Sequence, residues 1–414
     1  MIDIEKLVDK AQIDCAGVFA SLEETEVYNT RRVLSAMQKH QVAARHFAPT
    51  TGYGYGDIGR DTLEAIFADI FQTEAAIVRP HIASGTHALS LSLFGLLLPG
   101  DHLLSASGKP YDTLDEVIGL TDHTPGSLAE MNVSYSHVEL NEDGKLDLDA
   151  IHKAIRSNTR VVMVQRSRGY AWRNSLNPED IKPLAELLHR DYPNIRLMVD
   201  NCYGEFVQKT EPSQYGADIC VGSLIKNPGG GLAPTGGYIA GKEECIQRIA
   251  SRLTAPGIGL EVGSYAGSYQ PFYQGLFLAP HTVNQALKTA ILAARVFELL
   301  GMKTTPSAFD MRSDIIQAIE MQTPARLVAF CQGIQAASPV DSMAVPEPWD
   351  MPGYQNQVIM AAGTFVSGAS IELSADAPMR EPFIAYLQGG LTYSHGKIAL
   401  LNTLKHMQRT GCLN

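Results

Sequence analysis

The sequence lacks an excess of positive charge, and this absence limits the partners that the protein is expected to bind. It contains 33 Lys and Arg residues against 44 Asp and Glu residues, with a formal net charge of −11. Nucleic acids and anionic membrane surfaces are bound by basic protein faces. We therefore expect neither of them as a partner.

Long apolar runs and closely spaced cysteines are also missing. The most apolar stretch, residues 89–98, is interrupted by Ser90, Ser92 and Gly95, so we predict no membrane-spanning helix. The first residues show no basic region followed by an apolar run, which predicts that no signal peptide is present. Only six cysteines are spread over 414 residues, and this disfavours a disulfide framework. Together these features predict a cytoplasmic protein.

Two common binding motifs are absent as well. The 12 histidines are scattered without a His-Glu-x-x-His motif, so no metal site is predicted. The string Gly54-Tyr-Gly-Asp-Ile-Gly59 matches the dinucleotide-binding pattern, but no apolar strand precedes it. We interpret this loop instead as a mobile arm whose Tyr53, Tyr55 and Arg60 face a phosphate or a substrate.

Short apolar segments alternate with helical ones along the first 280 residues. Such strands between helices indicate a mostly parallel sheet that is covered on both faces. The predicted strands occupy residues 75–78, 102–105, 133–138, 161–165, 195–200, 217–225 and 237–240. The predicted fold class is therefore α/β.

The sequence pattern divides the chain into three predicted parts. Residues 1–59 form a helical arm with the Gly/Tyr loop, residues 60–283 a large α/β domain, and residues 284–414 a linking helix with a smaller α+β domain. Within the last part we predict a helix at 284–300, loops at 338–357, a pair of strands at 365–373, a further strand from residue 386 and a terminal helix at 397–407.

Two of the predicted strands end on charged residues, Asp200 and Lys226. Asn227-Pro-Gly-Gly-Gly231 follows the lysine and is expected to stop any helix there. The carboxyl ends of neighbouring parallel strands meet at one edge of a sheet, where ligands bind. A lysine and an aspartate there suit pyridoxal phosphate, because the lysine forms a Schiff base and the aspartate keeps the pyridine nitrogen protonated. The alternatives are a surface lysine and an aspartate that caps a loop.

Further polar residues are predicted at the same edge. Ser84-Gly85-Thr86 lies between a strand and a helix, where free N–H groups and the helix dipole suit a phosphate, although a simple helix cap is the alternative. Gln165 ends another strand, and Tyr203 is within reach of the phenolic oxygen of the cofactor. Tyr111 is a candidate for stacking on the cofactor ring, with a core tyrosine as the alternative.

The residues around these positions resemble a known group of proteins. Asp200-x-x-Tyr203 together with Ser223-x-x-Lys226 is similar to the fold-type I pyridoxal-phosphate enzymes of the aspartate aminotransferase superfamily. One branch, the methionine γ-lyase-like "aluminium resistance protein" family related to the cystathionine lyases, is more similar still. The strings that carry this resemblance are residues 51–61, 110–113, 165–170, 199–206, 224–231, 253–259 and 273–281.

The resemblance implies a cofactor, a fold and an assembly. It implies a fold-type I protein that forms a homodimer or tetramer with sites at the subunit interface, and a small amino acid as substrate. Lys226 would form the Schiff base and Asp200 would bind the ring nitrogen. The phosphate would be bound by Gly85, Thr86 and Ser223.

Other assignments from the resemblance concern the neighbouring subunit and the substrate. Tyr55 and Arg60 would reach the phosphate of the neighbouring subunit, and Arg380 would be a bidentate partner of the substrate carboxylate. Tyr53 is assigned to the substrate from its place in the Gly/Tyr arm and not from the resemblance. Two positions depart from the family pattern. Cystathionine-type lyases have Thr before the lysine, where this sequence has Ile225, and their Tyr-x-Arg spacing is not kept.

The expected reaction is a β- or γ-elimination from a sulfur-containing amino acid, catalysed by a carbon–sulfur lyase. Lys226 would remove the α-proton, and Tyr111 would protonate the leaving sulfur. An aminotransferase and a non-catalytic protein that binds pyridoxal phosphate stay open as alternatives, since both need the same lysine and aspartate.

Overall fold

A computed structural model describes residues 2–121, 124–351 and 356–413 of the protein. Over these residues the chain forms two β-sheets with helices packed around them. The strands are β1 (Ala75–Arg79), β2 (His102–Ser105), β3 (Ser134–His137), β4 (Thr159–Gln165), β5 (Arg196–Asp200), β6 (Ile219–Ser223), β7 (Gly237–Gly241), β8 (Thr304–Thr305), β9 (Ile316–Glu320), β10 (Val358–Ala361), β11 (Ser374–Pro378) and β12 (Ile384–Gln388). The α-helices are α1 (Ile4–Asp14), α2 (Ala16–Lys39), α3 (Ile58–Phe71), α4 (Gly85–Leu96), α5 (Thr113–Ile118), α6 (Leu148–Ala154), α7 (Lys182–Asp191), α8 (Glu243–Leu253), α9 (Gln270–Leu299), α10 (Pro324–Ala336) and α11 (Tyr393–Arg409).

The larger sheet has seven strands in the order β1-β7-β6-β5-β4-β2-β3. Strands β6, β5, β4, β2 and β3 run parallel to one another, whereas β7 is antiparallel to both of its neighbours. This mostly parallel sheet confirms the α/β fold class. It also brings the carboxyl ends of β4, β5 and β6 to one edge.

Apolar side chains cover both faces of this sheet, as the near-continuous apolar strands predict. Along β4, Val162 and Val164 pack in a core with α2, α3, α7 and α9, while Val161 and Met163 pack in a second core with α4, α5 and α8. Successive side chains of a strand point to opposite faces, and this alternation fills both cores.

The smaller sheet is antiparallel, with five strands in the order β10-β11-β12-β9-β8. Its core contains side chains of α10 and α11, of the second half of α9, and of the N-terminal helix α1. The division of the chain at residues 59 and 283 stays a prediction.

Several sequence-based boundaries were wrong for identifiable physical reasons. The helix predicted at 284–300 begins already at Gln270 and continues through Pro280. The proline ring removes one backbone N–H and normally breaks a helix, so the apolar pattern alone suggested a later start. The predicted strand 217–225 is shorter, since β6 ends at Ser223 and Lys226 lies in the turn beyond it. A three-residue 3-10 turn, Asn227–Gly229, follows the lysine where we expected no helical structure.

The strand pair predicted at 365–373 is absent from the structure. The carboxylate of Glu372 accepts hydrogen bonds from the backbone N–H groups of Phe365 and Val366, at 2.9 Å each. These donors would otherwise serve a strand ladder, so the side chain competes with sheet formation here. In the loop predicted at 338–357, residues 352–355 lie outside the described residues, and Trp349 forms a single β-bridge with Val358.

Candidate active site

A cavity of about 200 Å³ opens at the carboxyl edge of the large sheet and extends to the small sheet. It brings together nine residues that the sequence assigned to cofactor binding or catalysis. They are Ser84, Gly85, Thr86, Tyr111, Gln165, Asp200, Tyr203, Ser223 and Lys226. We call this cavity the inner chamber.

Sheet register explains why residues far apart in sequence meet in the inner chamber. Gln165 at the end of β4 pairs in register with Asp200 at the end of β5, and Asp200 pairs with Val221 of β6. The turn that follows β6 is fixed by Asn227, whose side-chain amide donates to the carbonyl oxygens of Tyr203 and Glu205 at 3.0 and 2.9 Å. The turn that carries Lys226 is therefore tied to the turn that follows Asp200.

Lys226 lies against an aromatic ring and a group of acidic side chains. Its Nζ is 4.2 Å from the ring centroid of Tyr203, a cation–π contact. Burial alone lowers the pKa of Lys226, but Cys202, Tyr203 and Asp200 act in the opposite direction and the pKa is raised overall. In the cofactor-free chain the ammonium form of Lys226 is thus favoured by its neighbours.

Asp200 is a buried carboxylate at the base of the inner chamber. One of its oxygens accepts a hydrogen bond from the backbone N–H of Cys202 at 3.1 Å. Burial raises the pKa of Asp200, and the positive charge of Lys226 opposes this rise. A buried carboxylate needs a cationic partner to stay ionised.

The amino end of α4 and the end of β6 form a small cradle. Ser84 caps the helix by accepting a hydrogen bond from the N–H of His87 at 3.0 Å. The first N–H groups of a helix have no partner within it. A Cβ added at Gly85 would meet the Cβ of Ser223 at 3.4 Å, so glycine keeps this space open. The hydroxyl of Ser223 is buried and has no hydrogen-bond partner among the described residues.

Gln165 positions the loop that carries Tyr111. Its side-chain oxygen accepts a hydrogen bond from the N–H of Tyr111 at 2.7 Å, and its amide nitrogen donates to the carbonyl of Ser167 at 3.2 Å. The ring of Tyr111 lies 6.1 Å from that of Tyr170. Sequence reasoning placed Gln165 at the cofactor, and the structure shows that it also fixes this loop.

The small sheet contributes a polar cluster that sequence reasoning missed. The hydroxyl of Tyr170 donates to Asp376 at 2.5 Å, Tyr386 donates to the carbonyl of Tyr170 at 2.6 Å, and Gln388 donates to Asp376 at 3.3 Å. Burial raises the pKa of Asp376 to about 6. Tyr170 lies within a string that carried the family resemblance, so its position was available as a signal. Asp376 lies in a short strand of small residues, and nothing in that pattern indicated a functional role.

A second cavity of about 310 Å³, the outer chamber, adjoins the inner one. Both chambers are lined by Tyr111, Gln165, Gly169 and Tyr170. Arg380 is exposed and lines the outer chamber but not the inner one.

Three predicted residues lie apart from both chambers. Tyr53 and Tyr55 are 72% and 68% exposed, with ring centroids 5.5 Å apart. Arg60 is buried, and its guanidinium donates to Asp61 at 2.7 Å and to the carbonyl of Gly54 at 2.9 Å. The role of these three residues stays a prediction.

The residues of the inner chamber fit pyridoxal phosphate. The unpartnered Ser223 hydroxyl and the amino end of α4 suit an anionic phosphate. A protonated ring nitrogen would be the cation that buried Asp200 needs, and Lys226 supplies the amine for the aldehyde. The fold and this site together define a fold-type I pyridoxal-phosphate-dependent protein.

Comparison with known proteins gives the family. Residues 4–408 match the model of the family described as methionine gamma-lyase, and the chain belongs to that family. Pyridoxal phosphate is therefore its cofactor, as the site and the sequence predicted.

Relatives in several bacteria extend this comparison. YnbB of Bacillus subtilis is 50% identical over 407 residues, which are 98% of this chain and 97% of YnbB. The structure of a carbon–sulfur lyase involved in aluminium resistance from Clostridium novyi is 50% identical with a TM-score of 0.94, covering 98% of this chain and 96% of that one. The pyridoxal-phosphate-dependent protein YhfS of Escherichia coli is 17% identical with a TM-score of 0.61, covering 94% and 96%, and shows the shared fold alone.

Two further observations concern membrane-spanning helices and metal sites. Among the described helices, none combines the length and apolarity needed to cross a bilayer. In the same residues, no group of three or more His, Cys, Asp or Glu side chains is placed so that it could hold a metal ion.

Proposed function

We propose that this protein is a pyridoxal-phosphate-dependent carbon–sulfur lyase that eliminates a thiol from a small sulfur-containing amino acid. The observation that carries the proposal is the meeting of Lys226, Asp200 and the phosphate cradle in one cavity of about 200 Å³. The family match and the description of the Clostridium novyi relative support the reaction class.

When bound, pyridoxal phosphate supplies an electron sink that stabilises negative charge at the substrate Cα. Lys226 would hold its aldehyde carbon, and Asp200 would keep its ring nitrogen protonated. The N–H groups of Gly85 and Thr86 and the hydroxyl of Ser223 would hold its phosphate, with Tyr203 near the phenolic oxygen. Tyr111, which borders both chambers, would stack on the ring.

Lys226 is also the group proposed to move the α-proton of the substrate. An amine must be unprotonated, and therefore neutral, to act as a general base. In the cofactor-free chain, Asp200 is one of the acids that raise the pKa of Lys226. Once the charge of Asp200 is matched by the ring nitrogen, this contribution is reduced, and the neutral amine becomes easier to form.

Tyr111 is proposed to donate a proton to the leaving sulfur. Its loop is fixed by the 2.7 Å hydrogen bond to Gln165, and its side chain borders both chambers. A leaving group that extends from the inner chamber toward the outer one would pass this hydroxyl.

Residues outside the chambers are proposed to act toward a second copy of the chain. Tyr53 and Tyr55 are largely exposed and are proposed to approach the site of the neighbouring subunit. Arg60 is proposed to reach the phosphate there as well; its present hydrogen bond to the carbonyl of Gly54 holds the loop that carries Tyr55. Arg380 on the outer chamber is the residue that the sequence assigns to the substrate carboxylate.

A Lys226→Ala protein tests the proposed function, with Lys153→Ala, a change at an exposed lysine of α6, as the matched control. Each protein is loaded with pyridoxal phosphate and offered L-cystathionine, L-methionine and L-cysteine, while thiol, ammonia and keto acid are measured together. We expect equal amounts of the three products with the wild type and the control, and none with Lys226→Ala. Turnover in Lys226→Ala would refute the assignment. Keto acid without thiol, dependent on a second keto acid, would identify an aminotransferase, and no product from any amino acid would support a non-catalytic binding protein.

A further inference from the structure

Two threonines meet at the inner chamber beside the phosphate cradle. Thr86 is the second residue of α4, Thr113 is the first residue of α5, and their hydroxyl oxygens are 2.9 Å apart. Both side chains line the inner chamber. The two residues are 27 positions apart in sequence, so the contact is formed by the packing of the two helices and not by a local turn.

The facing wall of the cradle contains one polar and one apolar side chain. Ser223 presents a hydroxyl, whereas Ile225, which also lines the inner chamber, has no group that can form a hydrogen bond. The two walls are close, because a Cβ added at Gly85 would meet the Cβ of Ser223 at 3.4 Å. A phosphate has three strong acceptor oxygens, so a second hydroxyl on the α4 side would find an acceptor on it.

The contact between the two threonines leaves one hydroxyl proton for such a ligand. Each hydroxyl has one proton to donate and two lone pairs that accept. If the hydroxyl of Thr113 donates to that of Thr86, this contact does not use the proton of Thr86, which can be donated to a phosphate oxygen. Hydrogen bonds in a chain also polarise one another, so accepting from Thr113 makes Thr86 a stronger donor.

Thr113 is itself held in place and can therefore fix the hydroxyl of Thr86. The N–H of the next residue, Leu114, donates to the carbonyl of Tyr111 at 2.8 Å, and the Leu114 side chain is buried in the core that contains α4 and α8. The N–H of Tyr111 donates to Gln165 at 2.7 Å. A threonine side chain otherwise rotates between staggered positions, and the contact with Thr113 selects one of them for Thr86.

We propose that Thr113 positions the hydroxyl of Thr86 so that this hydroxyl donates a hydrogen bond to the phosphate of the cofactor. Thr86 would then contact the phosphate through its side chain as well as its backbone N–H, and Thr113 would act through Thr86. This inference rests on the part of the proposed function that places the phosphate at the cradle. It adds to the site a residue that the sequence did not indicate.

The affinity of the cofactor-free protein for pyridoxal phosphate, measured by fluorescence titration, tests the proposal. Thr86→Val removes a hydrogen bond to a charged group, so the affinity is expected to fall roughly 10- to 100-fold. Thr113→Val removes a hydrogen bond between neutral groups, so the expected fall is roughly 3- to 10-fold. Thr113→Ser, which keeps the hydroxyl, is expected to bind the cofactor as tightly as the wild type does.

A double variant and a second probe separate positioning from other effects. If Thr113 acts through Thr86, adding Thr113→Val to Thr86→Val is expected to cause no further loss of affinity. Pyridoxal, which lacks the phosphate, is expected to bind to Thr113→Val as it binds to the wild type. Thr410→Val is the control and is expected to change neither affinity, because Thr410 is exposed and its hydroxyl donates to the carbonyl of His406 at the end of α11.

Three results would overturn the proposal. It fails if Thr113→Val binds pyridoxal phosphate as tightly as the wild type, or if the losses of the two single variants add in the double variant. It also fails if Thr113→Val weakens the binding of pyridoxal and pyridoxal phosphate equally, since that would indicate a purely structural role. Thr113→Ala serves in the same comparisons if Thr113→Val does not fold.

Failure of the proposed function would appear differently. A cradle that does not bind phosphate would leave the affinity unchanged in Thr86→Val and in Ser223→Ala, and this result would overturn the inference together with the placement of the phosphate. Failure of the inference alone would leave Ser223→Ala weakened. The elimination reaction is tested by the product assay, because these titrations contain no amino acid.

Discussion

Replacing Asp376 with asparagine isolates the effect of one partly buried carboxyl on stability. Asp376 lies on β11 and accepts hydrogen bonds from Tyr170 and Gln388. Asparagine keeps the shape of the side chain and an oxygen that can accept from Tyr170, but it cannot ionise. The change therefore removes a charge with little loss of packing.

The size of the effect follows from the pKa of Asp376, which burial raises from 3.8 to about 6. At about 1.4 kcal/mol per pH unit, ionising this group in the folded protein costs about 3 kcal/mol more than in the unfolded chain. Because the folded state binds the extra proton, the wild type loses stability as the pH rises from about 4 to about 6. We expect Asp376→Asn to match the wild type near pH 4 and to be more stable by about 3 kcal/mol above pH 6.

Urea unfolding of the cofactor-free proteins, followed by the fluorescence of Trp172 and Trp349, measures this difference across the pH range. Asp143→Asn, which neutralises an exposed carboxylate, is the control and is expected to change stability little at any pH. The reasoning is refuted if Asp376→Asn gains no stability above pH 6. It is equally refuted if the gain is already complete near pH 4.

Two further predictions concern Ser223 and Glu205. Ser223→Ala removes the unpartnered hydroxyl of the cradle. The affinity for pyridoxal phosphate, measured by fluorescence titration, is therefore expected to fall roughly 10- to 100-fold. An unchanged affinity would exclude the hydroxyl from phosphate binding. Burial raises the pKa of Glu205 from 4.5 to about 8. The stability of Glu205→Gln relative to the wild type is therefore expected to keep increasing between about pH 6 and pH 8. Over the same range the relative stability of Asp376→Asn is expected to stay constant. The same urea series checks this, and a relative stability that is flat above pH 6 would contradict it.

The sequence predicted the large sheet well because its strands are short, apolar and separated by helices. Each face of β4 is filled by alternate residues of one apolar run, and such runs are visible without a structure. The prediction was wrong where a local pattern was overridden by a specific interaction. Pro280 lies inside a buried helix, and the carboxylate of Glu372 takes the backbone donors of Phe365 and Val366.

The inner chamber was predictable to the extent that it depends on the large sheet alone. The ends of β4, β5 and β6 meet at one edge by topology, so Gln165, Asp200 and Lys226 were placed together from their positions in the strands. The contact between Tyr170 and Asp376 joins residues 206 positions apart, and it depends on how the small sheet packs against the large one. No pattern in either segment carries that information.

Ser223 in the inner chamber presents a buried hydroxyl that has no hydrogen-bond partner among the described residues. It borders a space that suits the phosphate of the cofactor. Donors left unpaired in the cofactor-free chain are unfavourable, and a ligand that pairs them binds the folded state and not the unfolded one. The cost of this unpaired hydroxyl is therefore offset only when the cofactor is bound. On this account the site depends on its ligands for stability as well as for chemistry.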